Sequence, residues 1–139
     1  MAVVRGNDFG RYLINTFSLT DLTYRPLVSI VSHGELWVMA DRNGWGEAKR
    51  KVLETTLSNL VTIDLHDESI IEAYVEVSGV SQRQPDGARM LSDNDKWIAA
   101  TSKAAHAVLV MADRDFAHLN PDCCVVHCVD PESWNRIET

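Results

Sequence analysis

No stretch of this chain approaches the ~20 consecutive apolar residues that a membrane-spanning helix needs. The first residues also lack the basic-then-apolar layout of a signal peptide. Both absences predict a cytoplasmic protein with no membrane contact. Cysteine is scarce: the adjacent pair Cys123 and Cys124, then Cys128. An odd count with a vicinal pair argues against a secreted disulfide framework. A single short cluster also lacks the matched pairs of a zinc site. Unpaired cysteine behaves mostly as a small hydrophobe, so buried strand packing is expected. His127 would point to the opposite face of such a strand from Cys128. Positive charge is scarce too: 13 Lys and Arg against 20 Asp and Glu leave a net charge of −7. That balance argues against a broad basic surface for nucleic acid. It is compatible with an enzyme that concentrates carboxylates on a metal and meets phosphate through it. The chain has no G-x-x-x-x-G-K, no G-x-G-x-x-G and no Ser-His-Asp or Cys-His order, which removes the nucleotide-loop and triad readings.

What is present is an ordinary globular balance. The 139 residues, 45% hydrophobic and 24% charged, suit a single domain over 1–139 with a real core. Phe9, Tyr12, Leu13 and Phe17 recur at helical spacing over 8–17. Leu27 to Val31 is a short β-branched run typical of a buried parallel strand, after which Ser32 could cap a helix from His33 to Arg42. Gly44 and Gly46 mark a turn around Trp45. A helix from Glu47 would place Ala48, Val52, Leu53, Leu57 and Leu60 on one face. Residues 60–65 form a second strand, and Asp67 or Glu68 opens a helix with Ile70, Ile71, Tyr74, Val75 and Val77 as its apolar positions. Residues 79–92, with Gly79, Pro85 and Gly87, read as a loop. Asp93-Asn94-Asp95 starts a further helix with Trp97 and Ile98 inward. Strands over 107–111 and 125–129 complete the pattern. Helices alternating with short apolar strands predict an α/β fold with a parallel sheet flanked by helices.

In such sheets ligands bind beyond the carboxyl ends of the strands. The residues found there include Glu35, Asp95, Asp113 and Asp115, all acidic. Converging carboxylates suit a hard divalent cation, which takes oxygen ligands and keeps several waters. The same residues have blander uses. Asp95 at a helix start stabilises the helix dipole, and Asp113 and Asp115 are ordinary turn formers.

The segment Ser92-Asp93-Asn94-Asp95-Lys96-Trp97-Ile98-Ala99-Ala100-Thr101 resembles the N-D-x-W-I-A-A-T signature of PIN domains. Val108-Leu109-Val110 followed by Asp113-Arg114-Asp115-Phe116 is similar to the family's L-x-T-x-D-x-D-F ending. Pro26 through Leu36, with Ser29 and Glu35, resembles its S-x-V-T-x-x-E-L motif. These motifs stand in the family's order over roughly residues 5–131. The resemblance implies a PIN-like three-layer α/β fold, most like the VapC-type toxins, which are endoribonucleases of toxin–antitoxin systems. It implies that Glu35, Asp95 and Asp113 are catalytic and hold Mg²⁺ or Mn²⁺, with Asp115 a nearby fourth carboxylate and Asp113 favoured over it. It further implies an RNA substrate, single-stranded or in loops, cut by a metal-activated water. It also implies a VapB-like antitoxin partner that blocks the site, and a homodimer.

Two departures stand out. The family's first strand, roughly L-L-D-T-N, carries an Asp that completes the metal site. Leu13-Ile14-Asn15-Thr16 is one alignment, with Asn15 for Asp. The other, preferred because 9–17 reads as helix, takes Val4-Arg5-Gly6-Asn7 into the first helix region and puts the strand upstream of Met1. A sheet lacking that strand exposes backbone edges, which a strand-exchanged dimer or a rearranged local fold would relieve. Met111-Ala112 also stands where the family has a hydroxyl residue before Asp113, which removes support for the site. The rival expectation is therefore a truncated, inactive PIN-like protein that binds RNA or an antitoxin without cleaving. Among the remaining residues, Arg25, Lys96, Lys103 and Arg114 are candidates for phosphate contact or for surface ion pairs worth little. Trp37 and Trp97 read as packing residues, Trp45 as a turn anchor and His33 as a solvent-facing helix-start residue.

Overall fold

The computed structural model describes residues 8–21, 23, 25–83 and 90–135. They fall into two compact units, Met1–Ile63 and Asp64–Thr139. In the first unit, helix α1 spans Asp8–Thr16. Asp8 sits in its first turn, where negative charge complements the helix dipole, and pairs with Arg11 one turn on. Phe9 is buried, with its ring nearly parallel to that of Tyr12 at 6.5 Å. Leu13 to Thr16 therefore belong to a helix and not to a strand. Among the described residues no strand precedes Leu27. Val4 to Asn7 lie outside the described residues.

Strand β1 is Leu27–Ser29, and helix α2, Ile30–Arg42, follows it without a linker. The expected strand over 27–31 is thus cut short, and the expected cap at Ser32 moves to Ser29. The Ser29 hydroxyl accepts the Val31 N–H at 3.3 Å, which turns Ile30 and Val31 into the helix despite their β-branched side chains. His33 accordingly lies within α2 and not at its start. At the far end Asn43 Nδ2 donates to the Met39 carbonyl at 2.8 Å, and Gly44 adopts φ 58°, the left-handed conformation that ends many helices.

Trp45 is buried as expected of a turn anchor. It packs with Leu36, Ala40, Leu53 and Leu57, and Trp37 and Leu60 lie against this cluster. Leu53 and Leu57 come from α3, Glu47–Ser58. Ala48 and Val52, expected on the inward face, are exposed, because the buried stripe is narrower than the apolar pattern suggested. Strand β2, Val61–Ile63, runs parallel to β1 with Leu27 opposite Val61 and Ser29 opposite Ile63.

Arg25 ties the end of α3 to the chain entering β1. Its guanidinium donates to the carbonyls of Ser58 (2.7 Å), Asn59 (3.1 Å) and Leu60 (2.8 Å), groups that a helix end leaves without intrahelical partners.

The second unit opens with α4, Glu68–Gln82. Its cap is Asp67, which accepts from the Ser69 hydroxyl at 2.6 Å and the Ser69 N–H at 2.9 Å. These bonds hold the Asp67 carboxyl below its ordinary range. The helix runs through Gly79, so the loop expected over 79–92 begins at least one turn later. Helix α5, Asp93–Ala104, packs on α4, and Trp97 stacks on Tyr74 with ring centroids 3.9 Å apart. Strand β3, Leu109–Met111, lies parallel to β4, Val126–Cys128. Between them a 3₁₀ turn over Arg114–Leu119 buries Phe116 and Leu119. No helix among the described residues is long and apolar enough to cross a membrane.

Neighbouring positions on α3 give a direct check of this packing. Leu53 is 0% exposed and Val52 is 54% exposed. Leu53→Ala is expected to destabilise the protein by about 2–5 kcal/mol, and Val52→Ala by only about 0.5 kcal/mol, in urea unfolding.

Candidate functional site

Glu35 lies in α2, in the first unit, and its side chain is exposed. Asp95, Asp113 and Asp115 belong to the second unit. Asp95 is the third residue of α5 and forms a reciprocal capping box with Ser92. Asp95 Oδ2 accepts from the Ser92 hydroxyl at 2.6 Å and the Ser92 N–H at 3.1 Å, and the Asp95 N–H donates back to Ser92 Oγ at 3.2 Å. The structural role weighed for Asp95 is therefore real, but it occupies one oxygen. Oδ1 accepts no hydrogen bond among the described residues. The signal for this arrangement was present as Ser-x-x-Asp ahead of an apolar run, which is how a capping box reads in sequence.

Asp113 directly follows the short β3 strand and Ala112. It caps the 3₁₀ turn, with Oδ1 accepting the Asp115 N–H at 2.9 Å. This is the turn-forming role also considered for it, and again it uses one oxygen. Its side chain is exposed, whereas Asp115 is half-buried. The structure thus brings Asp113 and Asp115 together in one turn. Among the described residues, neither unit gathers three His, Cys, Asp or Glu side chains closely enough to hold a metal ion. What Asp95 and Asp113 do offer is one hard oxygen each that the local fold leaves open. That suits a weakly chelated, largely hydrated Mg²⁺ or Mn²⁺ better than a caged ion.

The candidate phosphate contacts divide. Arg25 is engaged with the end of α3. Lys96 Nζ pairs with Asp93 at 3.0 Å and its side chain is 12% exposed. Lys103 Nζ bonds the Cys123 carbonyl at 2.9 Å and Glu76 at 3.1 Å, joining α5 to α4 and to the turn before β4. The Glu76 carboxylate beside it raises the Lys103 pKa. Arg114 remains exposed on the Asp113 turn.

The cysteines behave as the packing reading expects. Cys123, Cys124 and Cys128 are all free and buried, although only Cys128 lies in a strand. His127 beside it is more exposed, as alternation requires. Burial pushes all three thiols above their ordinary range, Cys124 to about 11. For Cys128 the nearby Asp113 charge adds to that effect. A folded-state thiol pKa above the unfolded value means that the folded chain holds the proton longer. Stability is therefore expected to fall as pH rises from the ordinary 9.0 towards about 11 for Cys124. Native protein at pH 8 is expected to resist a thiol reagent that modifies all three cysteines after unfolding in urea, as read by mass spectrometry.

The PIN domain family model matches residues 3–120, spanning both units. No curated protein matches the chain by sequence. Among solved structures it is similar to a chain in the crystal structure of VapBC2 from Rickettsia felis bound to a DNA fragment from their promoter. The TM-score is 0.70 at 19% identity, covering 91% of this chain and 89% of that one. At that identity the likeness concerns the fold, and it agrees with the parallel α/β pattern read from the sequence. With the family match covering most of its length, the chain belongs to the PIN domain family.

Proposed function

We propose that this protein is a metal-dependent endoribonuclease of the VapC toxin type, with residues 1–139 forming one PIN-like domain that works in the cytoplasm. The observation that carries this reading is the pairing of the family match with two aspartates, Asp95 and Asp113. Each has one oxygen fixed by a local cap and the other open. Caps of this kind hold a carboxylate in place before any ligand arrives, which lowers the cost of ordering it. Glu35, Asp95 and Asp113 are the residues proposed to hold Mg²⁺ or Mn²⁺, with Asp115 as a supporting carboxylate. When bound, the cation would acidify water and stabilise charge on the phosphodiester. The chain's own part is to orient that cation through three acidic side chains and to present Arg114, next to Asp113 in the same turn, as a counter-charge for phosphate. A VapB-like antitoxin and a homodimeric state belong to the same reading.

A specific observation favours a second reading, a PIN-like protein that binds RNA or an antitoxin with little or no cleavage. The matched span opens with Val3-Val4-Arg5-Gly6-Asn7, which contains no carboxylate. Nothing in this run supplies the Asp that the family's L-L-D-T-N strand contributes, and in the other alignment Asn15 stands in its place. Met111-Ala112 removes the hydroxyl before Asp113 as well.

Cleavage of a fluorescent single-stranded RNA with and without Mn²⁺ separates the two readings. The nuclease reading expects Mn²⁺-dependent cleavage that falls at least about 100-fold in Asp113→Asn and much less in Asp115→Asn. The binding reading expects no cleavage above a metal-free control in the wild type.

A further inference from the structure

The first unit contains a solvent-open cavity of about 360 Å³ whose lining includes none of the acidic motif residues. Its apolar walls are Trp37, Leu57 and Leu60, and its polar groups include His33, Thr62 and Glu54. All of these residues belong to α2, α3 and the strand β2 with its approach, so the cavity is built within one packed unit. It lies on a different face of α2 from the candidate metal ligand. His33 and Trp37 are one helical turn apart and share a side, whereas Glu35 sits about 200° around the axis from either. The cavity is therefore a site separate from the Glu35 face.

Its size is at the low end of small-molecule sites, which run from about 300 Å³ upwards. Its chemistry is that of a flat ring holder. Trp37 is half-buried and packs against the core of the unit, which fixes an indole at the cavity wall. Aromatic side chains held in this way stack on unpaired bases, and polar groups at the edge then read the base's hydrogen-bonding edge. The polar groups here are partly committed. His33 Nδ1 and Thr62 Oγ1 bond each other at 3.2 Å, which ties α2 to β2. The acidic group is Glu54, and its bond is to Lys51 at 2.7 Å, an exposed pair of the kind that exchanges readily for another partner. A carboxylate accepts and does not donate. It favours a ring that presents adjacent donors, and among the bases guanine does so through N1–H and its exocyclic amino group. Adenine offers an acceptor at N1. Uracil and cytosine set acceptors beside their single donor group.

We propose that this cavity binds a guanine base, stacked against Trp37 with its donor edge on Glu54. It would thus be a base-reading site apart from the acidic residues. The proposal rests on the RNA-directed reading above only for the polymer that carries the base. The recognition itself requires neither metal nor cleavage.

The test is binding in EDTA, followed through tryptophan fluorescence, with GMP, AMP, UMP and CMP as separate probes and then two short single-stranded RNAs with and without a guanine. The expected result is saturable quenching by GMP, at least about tenfold tighter than by AMP, with loss of that preference in Glu54→Gln. Lys51→Ala, which releases Glu54, is expected to tighten GMP binding. A preference for GMP over the guanine-containing RNA would assign the site to free nucleotide, and the reverse to substrate RNA; either result supports the base-reading site. No saturable GMP binding, or equal binding of all four nucleotides unchanged in Glu54→Gln, would overturn it. Because no metal is present, failure here leaves the nuclease reading standing, and an inactive nuclease leaves this site standing.

Discussion

The reciprocal hydrogen bonds between Ser92 and Asp95 set where α5 begins, and much of the second unit follows from that point. Starting the helix at Asp93 turns Trp97 towards Tyr74 on α4 and buries Ala99, Ala100 and Thr101 behind it. It also places Lys103 at the far end within reach of Glu76 and the Cys123 carbonyl. The cap fixes a carboxylate as well as a helix. A side chain tied through Oδ2 cannot swing freely, so the direction of Oδ1 is settled by the same bonds. Asp113 repeats the device at the 3₁₀ turn, with Oδ1 on a backbone N–H. Local capping and metal ligation are thus compatible uses of one residue type at these positions, because a carboxylate has two oxygens and a cap consumes one.

Helices and caps matter here because the strands are so short. Each of the four found among the described residues spans three residues, and each pairs with one parallel neighbour. Two-stranded pairs of this length have little stability of their own. In the first unit the support comes from Leu53 and Leu57 packing beneath Leu36, Ala40 and Trp45, and from the Arg25 guanidinium holding the end of α3. In the second it comes from α4 against α5 and from Phe116 and Leu119 beside β4. A fold carried in this way tolerates departures in its strands better than in its helix-packing faces. One change from the family pattern, at Met111-Ala112, falls at the end of such a strand.

Much of this was legible in the sequence, for identifiable reasons. The order of helices and parallel strands follows from hydrophobic period and turn residues, and the acidic residues at 67–68 and 93–95 marked the starts of their helices. The misses have separate local causes. Leu27 to Val31 looks like a five-residue strand because β-branched residues favour strands, yet a single hydroxyl on Ser29 converts the last two to helix. Gly79 signalled a loop, but its neighbours Val77 and Ser81 are buried in α4, and packing overrode glycine's preference. Ala48 and Val52 match the helical period and are nonetheless exposed, since period shows which residues share a face and not how wide the buried stripe is. For the proposed site, residue types and motif order pointed to Glu35, Asp95 and Asp113. The capping bonds, Arg25's engagement with α3 and the His33–Thr62 link depend on contacts that only coordinates reveal.

The central claim is that Asp95 and its partner carboxylates still form a metal site. Calorimetric titration of the purified protein with Mn²⁺, beside an Asp95→Asn variant whose folding is verified by circular dichroism, tests it directly. The account predicts stoichiometric Mn²⁺ binding in the wild type that is lost in the folded variant. No binding at millimolar Mn²⁺, or identical binding in both proteins, would contradict it.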